Sequence, residues 1–197
     1  MIASIRRPTR QRIAVSLRMP DPIRAFVADV ETPIGTMVAT ATETHLLLLE
    51  FSHRRMLGTQ LDRVRRALQC NFERGESPVF AVVRDQLAEY FRGERREFDV
   101  PMHVPGTPFQ SRVWSELQRI PPGTTTSYAR LAETIGQPTA VRAVARANGD
   151  NRIAIIIPCH RVIGSDGQLV GYGGGLWRKR KLLDLEGRSL TLPLFDA

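Results

Sequence analysis

Pro158-Cys159-His160-Arg161-Val162 sets a thiol beside an imidazole at the end of the apolar run Ile153-Ala154-Ile155-Ile156-Ile157. A free cysteine has a pKa of about 8.5, so little of it is the reactive thiolate at neutral pH. Apolar surroundings make ionisation harder still. Two readings of Cys159 follow. It is a buried packing residue, or it is a nucleophile that a base or a positive field has prepared. His160 is the nearest base. The run before it reads as a strand, whose successive side chains point to opposite faces, so a direct thiol–imidazole contact does not follow from adjacency. Pro158 ends that strand, and a bridging water can carry the proton. Glu186, in Leu182-Leu183-Asp184-Leu185-Glu186-Gly187, supplies a carboxylate able to orient the imidazole as the third member of a nucleophile–base–acid relay.

The elements that must position these groups occupy a chain of 197 residues, enough for one large domain or two small ones. At 42% hydrophobic and 24% charged it has the composition of an ordinary globular protein. No apolar run approaches bilayer-spanning length. The formal charge is +8, and Arg far outnumbers Lys, which suits a polyanionic partner because guanidinium is shaped to hold phosphate oxygens. Two cysteines, Cys70 and Cys159, make no disulfide framework and point to a reducing compartment. Cys70, at the end of a predicted helix, reads as a small packing residue. Residues 1–22 form a basic tail, expected to be mobile and able to add unspecific attraction to DNA. Residues 191–197 form a second tail.

Residues 23–104 read as an amino-terminal α/β domain. Ala25–Val30 alternates as a strand, Pro33-Ile34-Gly35 turns, Thr36–Thr40 resumes, and His45–Phe51 is a third strand buried on both faces. Leu57, Leu61, Val64 and Leu68 recur at helical spacing, as do Val83, Leu87 and Phe91. Glu97–Val100 reads as a short strand. The expected result is an antiparallel sheet with one or two covering helices. His45, His53 and His103 are scattered, and no cofactor loop or metal-ligand cluster stands out.

Residues 105–190 read as a mostly helical unit. Thr107-Pro108 is an N-cap followed by proline at the first helical position, and Pro121-Pro122-Gly123 stops that helix. Ser127 caps the next, with Leu131, Ala132 and Ile135 inward. Gly136-Gln137-Pro138 turns, and Thr139 is expected to cap a third helix running to about Gly149. Two short helices across a tight turn fit a helix-turn-helix. In the third helix Val141, Val144, Ala145 and Asn148 fall at packing spacing. Arg142 and Arg146 project one turn apart, and Ala140, Ala143 and Ala147 leave the remaining surface low. A smooth helix with two guanidiniums suits a DNA groove. An alanine-rich solvated helix fits the same pattern.

Taken together, Pro158–Val162, Asn151, the Gly-rich Gly171-Tyr172-Gly173-Gly174-Gly175 and the preceding helix-turn-helix resemble the O6-alkylguanine-DNA alkyltransferases. The likeness is close over residues 107–187 and loose, in length and element order, over 25–100. It implies an α+β architecture: an amino-terminal ribonuclease H-like sheet with covering helices, then a winged-helix-like carboxy-terminal domain. It implies a suicide enzyme that moves the alkyl group of O6-alkylguanine, and of O4-alkylthymine, in double-stranded DNA onto Cys159 irreversibly. By the resemblance His160 is the base, Glu186 its carboxylate partner and Asn151 a brace. Tyr128 helps turn out the nucleotide and hydrogen-bonds the base. Arg142 is the finger that fills the vacated stack. Tyr172, with Gly173, Gly174 and Val162, walls the base pocket. Apart from the resemblance, Thr139, Ala140, Ala143, Arg146 and Arg130 are expected to face DNA, with Arg130, Arg146 or Lys179 able to hold phosphates. No cofactor is implied. A metal site that some members carry in the first domain has no matching ligand set here. A monomer in the cytoplasm, on the nucleoid (nuclear if eukaryotic), with no membrane partner, is expected. Two departures stand out: Arg146 where this helix is often small, and Gly173 where some members carry serine.

Three other functions fit parts of the same pattern. A protein that only recognises alkylated bases lacks the acceptor cysteine. A transcription regulator needs no Cys159, His160, Glu186 set. A cysteine hydrolase needs oxyanion donors that the sequence does not identify.

Overall fold

The computed structural model describes residues 23–188; the two expected tails, 1–22 and 191–197, lie outside the described residues. The amino-terminal half is built on a four-stranded sheet in the order β3-β2-β1-β4. β1 (Ile23–Val30), β2 (Met37–Ala41) and β3 (Leu46–Phe51) form an antiparallel meander. β4 (Cys70–Arg74) lies parallel to β1, so the sheet is mixed rather than wholly antiparallel. The sequence signals only a helix end here, because Asn71, Glu73 and Arg74 are polar and an edge strand needs little buried surface. Gln69, at φ 49, turns the chain out of the helix into it. Glu97–Val100 forms no strand; its neighbour Met102 makes a single parallel bridge to Leu46 instead.

Two helices cover the sheet. α1 (Leu57–Leu68) packs with Ala25, Leu47, Leu48, Val64 and the buried Cys70 in a small cluster. α2 (Pro78–Phe91), capped by the Ser77 hydroxyl, joins the large cluster on the other face. That cluster continues without a break into the carboxy-terminal half, taking in Trp114, Leu131, Val144 and Ile153–Ile157. The two halves therefore share one core.

The carboxy-terminal half runs α3 (Pro108–Leu117), β5 (Thr126–Ser127), α4 (Tyr128–Thr134), α5 (Val141–Gly149), a 3-10 turn at Cys159–Arg161, β6 (Val162–Ile163) and α6 (Leu176–Arg188). Thr107 caps α3 with proline at the first position, and Gln110 reaches back to complete a capping box. Ser127 caps α4. Thr139 does not cap α5: the helix starts after Ala140 with no side-chain cap. Its buried residues are Val144, Ala147 and Asn148. Ala147, expected on the outer surface, faces inward, and its carbonyl accepts the Trp114 indole N–H at 2.8 Å. Ala145 lies on the rim between core and surface. No helix among the described residues is long and apolar enough to cross a membrane.

The run Ile153–Ile157 is not a strand. It makes one parallel bridge, Ile153 to Leu49, along the free edge of β3, where Leu49 N–H donates to Arg152 O and Ala154 N–H donates to Leu49 O, both at 2.8 Å. The chain then folds into a tight buried turn, with Ile155 at φ 72. A β-branched residue rarely takes that conformation, and the surrounding core holds it there. The edge of β3 is thus used to fix the segment that carries Cys159.

Candidate active site

Cys159 sits at the start of the 3-10 turn, and its side chain opens onto a cavity of about 270 Å3. Asn151 organises the approach. Its Oδ1 accepts the Ile153 N–H at 3.0 Å, and its Nδ2 lies 2.8 Å from Ile157 O and 3.1 Å from Cys159 Sγ. One buried amide therefore ties the turn and the thiol together, replacing ladder bonds that a strand would have supplied. Asn148, one helical turn earlier on α5, reaches the Cys159 carbonyl at 3.5 Å.

The next residue of the turn, His160, reaches the buried Glu186 carboxylate, which collects five hydrogen bonds. They come from His160 Nε2 (2.9 Å), the Tyr90 hydroxyl (2.9 Å), Arg161 Nε (2.9 Å) and Nη2 (2.7 Å), and the Gly123 N–H (3.3 Å). Burial would raise its pKa, but the His160 and Arg161 bonds outweigh that and hold the carboxyl well below the usual range. Burial lowers the His160 pKa despite Glu186. A charged Glu186 facing a neutral imidazole makes Nε2 the protonated nitrogen. Nδ1 is left as a bare acceptor, and it has no hydrogen-bond partner among the described residues.

Burial pushes the Cys159 thiol up to about 11. The Asn151 bond opposes this, Glu50 adds to it, and Arg54 and Lys179 oppose it. Glu50 and Arg54 belong to the amino-terminal half. They form a buried ion pair, and Arg54 also donates to the carbonyls of Asn151 (3.2 Å) and Gly149 (2.5 Å). Its guanidinium lies against Gly173, where an added Cβ would approach it to 2.7 Å. A serine at 173 would have to displace Arg54, which accounts for the glycine. Gly174 is likewise closed in by Phe51 and Tyr172.

Of the residues expected at the site, Tyr128, Asn151, Cys159, Tyr172, Gly173 and Gly174 line the cavity together; His160, in the same 3-10 turn as Cys159, and Glu186 are bonded to each other outside that lining. The Tyr172 hydroxyl has no partner among the described residues. Val162 is not a pocket wall. It is fully buried, pairs with Thr126, and gives its carbonyl to Lys179. Lys179 cannot hold a phosphate: it is fully buried, bonded to the carbonyls of Val162 (2.6 Å) and Val170 (2.8 Å). Burial lowers its pKa to about 8, while Cys159 pulls the other way. Arg142, Ala143 and Arg146 are exposed on α5, as are Thr139 before it and Arg130 on α4, while Ala140 is half-buried; Arg130 pairs with Glu133. Sequence reasoning missed Glu50, Arg54, Asn148, Arg161 and Tyr90. One signal was available: Glu50 interrupts the apolar strand Leu46–Phe51, and a charge there demands a partner.

The charges fix a sign that can be measured. The rate at which iodoacetamide modifies Cys159 should climb with pH toward a midpoint near 11. Glu50→Gln should lower that midpoint and Arg54→Gln should raise it. Peptide mapping separates Cys159 from Cys70, and opposite shifts would refute the electrostatic account.

Comparison with known proteins follows the same lines. The model of the 6-O-methylguanine DNA methyltransferase DNA-binding domain matches residues 108–188, and that of its ribonuclease-like domain matches residues 27–104. The constitutive methylated-DNA–protein-cysteine methyltransferase of Bacillus subtilis is 42% identical over 164 residues, covering 82% of this chain and 94% of that one. The Mycobacterium tuberculosis methylated-DNA–protein-cysteine methyltransferase is 59% identical over 120 residues, 60% of this chain and 73% of that one. The crystal structure of the Mycobacterium tuberculosis O6-methylguanine methyltransferase superposes with a TM-score of 0.71 at 42% identity, covering 84% of this chain and 94% of that one. The same organism's OGT in complex with DNA gives 0.70 at 42% identity, covering 85% and 94%. With both domain models matched over most of its length and 42% identity to a relative across 82% of the chain, the chain belongs to the 6-O-methylguanine DNA methyltransferase family.

Proposed function

We propose that the protein repairs duplex DNA by taking the alkyl group of O6-alkylguanine, and of O4-alkylthymine, onto Cys159, once per molecule. The observation that carries this reading is the buried thiol, held by Asn151 and opening onto a cavity, in a turn whose next residue is an imidazole fixed by a carboxylate. An alkyl carbon inside a stacked duplex is out of reach, so the nucleotide must rotate out at a cost of a few kcal/mol. In this reading α5 lies in the groove, Arg142 fills the vacated stack, and Arg130, Arg146 and the low Ala140, Ala143 and Thr139 surface bear on the backbone. Residues 23–104 and 105–190 act as two units on one core.

The chemistry is then a proton transfer followed by an in-line displacement. The Cys159 proton passes through a water to His160 Nδ1, and Glu186 stabilises the imidazolium that results. Asn151, Arg54 and Lys179 favour the thiolate. Sulfur attacks the alkyl carbon, the carbon–oxygen bond breaks, and the electron pair leaves with the base. Tyr128, from the cavity wall, donates to the departing base and stabilises its charge. The Tyr172 hydroxyl is placed to bond the extruded ring. A thioether remains on Cys159. Water does not release it, which makes the reaction stoichiometric.

Intact mass after mixing with duplex DNA carrying O6-methylguanine tests the reading. A gain of one methylene per chain, mapped to Cys159 and lost in Cys159→Ser, is expected; repeated turnover, or modification of Cys70, would contradict it. Arg142→Ala should slow repair of duplex much more than reaction with free alkylated base, and an equal loss on both would remove the finger role.

A further inference from the structure

Helical geometry divides the surface of α5 into three stripes, at about 100° per residue. Ala145, Asn148 and Gly149 line the Cys159 cavity. Ala143, Arg146, Ala147 and Asp150 line a second cleft, of about 660 Å3, on the other flank. Arg142 projects between the two. The far wall of the second cleft is α1 of the amino-terminal half, which contributes Arg63 and Arg66, and Arg152 closes its floor.

This cleft is strongly cationic. Four guanidiniums, from Arg63, Arg66, Arg146 and Arg152, face one carboxylate, Asp150. Asp150 is already engaged by Arg63 at 2.9 Å and by Gln110 at 3.1 Å. Arg152 is buried and fixed by Gln60 (3.3 Å) and the Pro105 carbonyl. Arg66 and Arg146 are exposed, with no carboxylate partner among the described residues. Nothing in the alkyl-transfer chemistry uses this charge.

A helix seated in a DNA groove has one sugar-phosphate strand on each flank. The flank with the Cys159 cavity must take the strand whose nucleotide is extruded. We propose that the arginine cleft between α1 and α5 binds the backbone phosphate of the opposite, undamaged strand, so that the amino-terminal half grips DNA directly. This rests on duplex DNA being the substrate. Arg66 and Arg146 make the phosphate contacts, and the fixed Arg63 and Arg152 supply the field. Gripping the complementary strand holds it in place while the lesion strand is distorted, a role that single-stranded DNA cannot call upon.

The test uses Arg66→Ala, with Arg65→Ala as control. Arg65 is exposed on the same helix but pairs with Asp62 and lies over Phe72. Binding of Cys159→Ser carrying each change is measured against salt on duplex and on single-stranded oligonucleotide. One lost phosphate contact should reduce the slope of log K against log salt by about 0.9 on duplex. Arg66→Lys should restore it, Arg65→Ala should leave it unchanged, and single-strand binding should not respond. A neutral methylphosphonate in the complementary strand should weaken the native protein and not Arg66→Ala. An unchanged duplex slope, or an equal loss on single strands, overturns the proposal. Absence of alkyl transfer to Cys159 in the otherwise native Arg66 chain on any substrate would instead count against the proposed function.

Discussion

A thiol shut away from water resists ionisation, and the carboxy-terminal half of this protein is arranged around that resistance. Burial alone drives Cys159 far from its ordinary range. The fold answers with one direct hydrogen bond, from Asn151, and with two cations, Arg54 and Lys179, that reach it through the field rather than by contact. Neither cation is free to move. Arg54 is locked by Glu50 and two carbonyls, and Lys179 by the carbonyls of β6 and the Gly-rich loop. Preorganised charge of this kind needs no rearrangement when the thiolate forms. Glu50 is the counterweight. It adds to the rise that burial already imposes on the thiol.

The same constraint explains why the halves share a core. The cysteine turn hangs on the open edge of β3, and Arg54 follows the end of that strand. Detaching the amino-terminal half would remove both the backbone support for Ile153 and the cation beside the cavity. That half is therefore part of the site. On α5 the division of labour is spatial: one flank faces the chemistry, the other faces an arginine-lined cleft, and the outer stripe lies between.

Much of this was legible in the sequence where local chemistry decides structure. Thr107-Pro108 and Ser127 announced their helices because a capping oxygen acts within three residues. Asn151, Cys159 and His160 stood close enough together to suggest a site, and Glu186 fell where an orienting carboxylate was needed. The failures were non-local. Ile153–Ile157 looked like a strand, since an apolar run has the same pattern in a strand and in a buried turn. The edge of β3 and the Asn151 side chain, standing in for ladder bonds, support the turn. β4 was missed because its residues are polar and its partner β1 lies far away in the sequence, at the other end of the meander. Glu50 and Arg54 lie about a hundred residues from Cys159, and no spacing rule reaches that far. Val162, placed in the base pocket by its motif, and Lys179, offered as a phosphate contact for its charge, are both buried by the fold.

The central claim is the proposed one that a neutral imidazole, fixed by an anionic carboxylate, serves as the proton acceptor for the thiol. Nitrogen-15 NMR of the His160 ring at neutral pH reads this directly. The account predicts a single neutral tautomer with the proton on Nε2 and a bare Nδ1. An imidazolium, or a proton on Nδ1, would leave Cys159 without its base and contradict the mechanism.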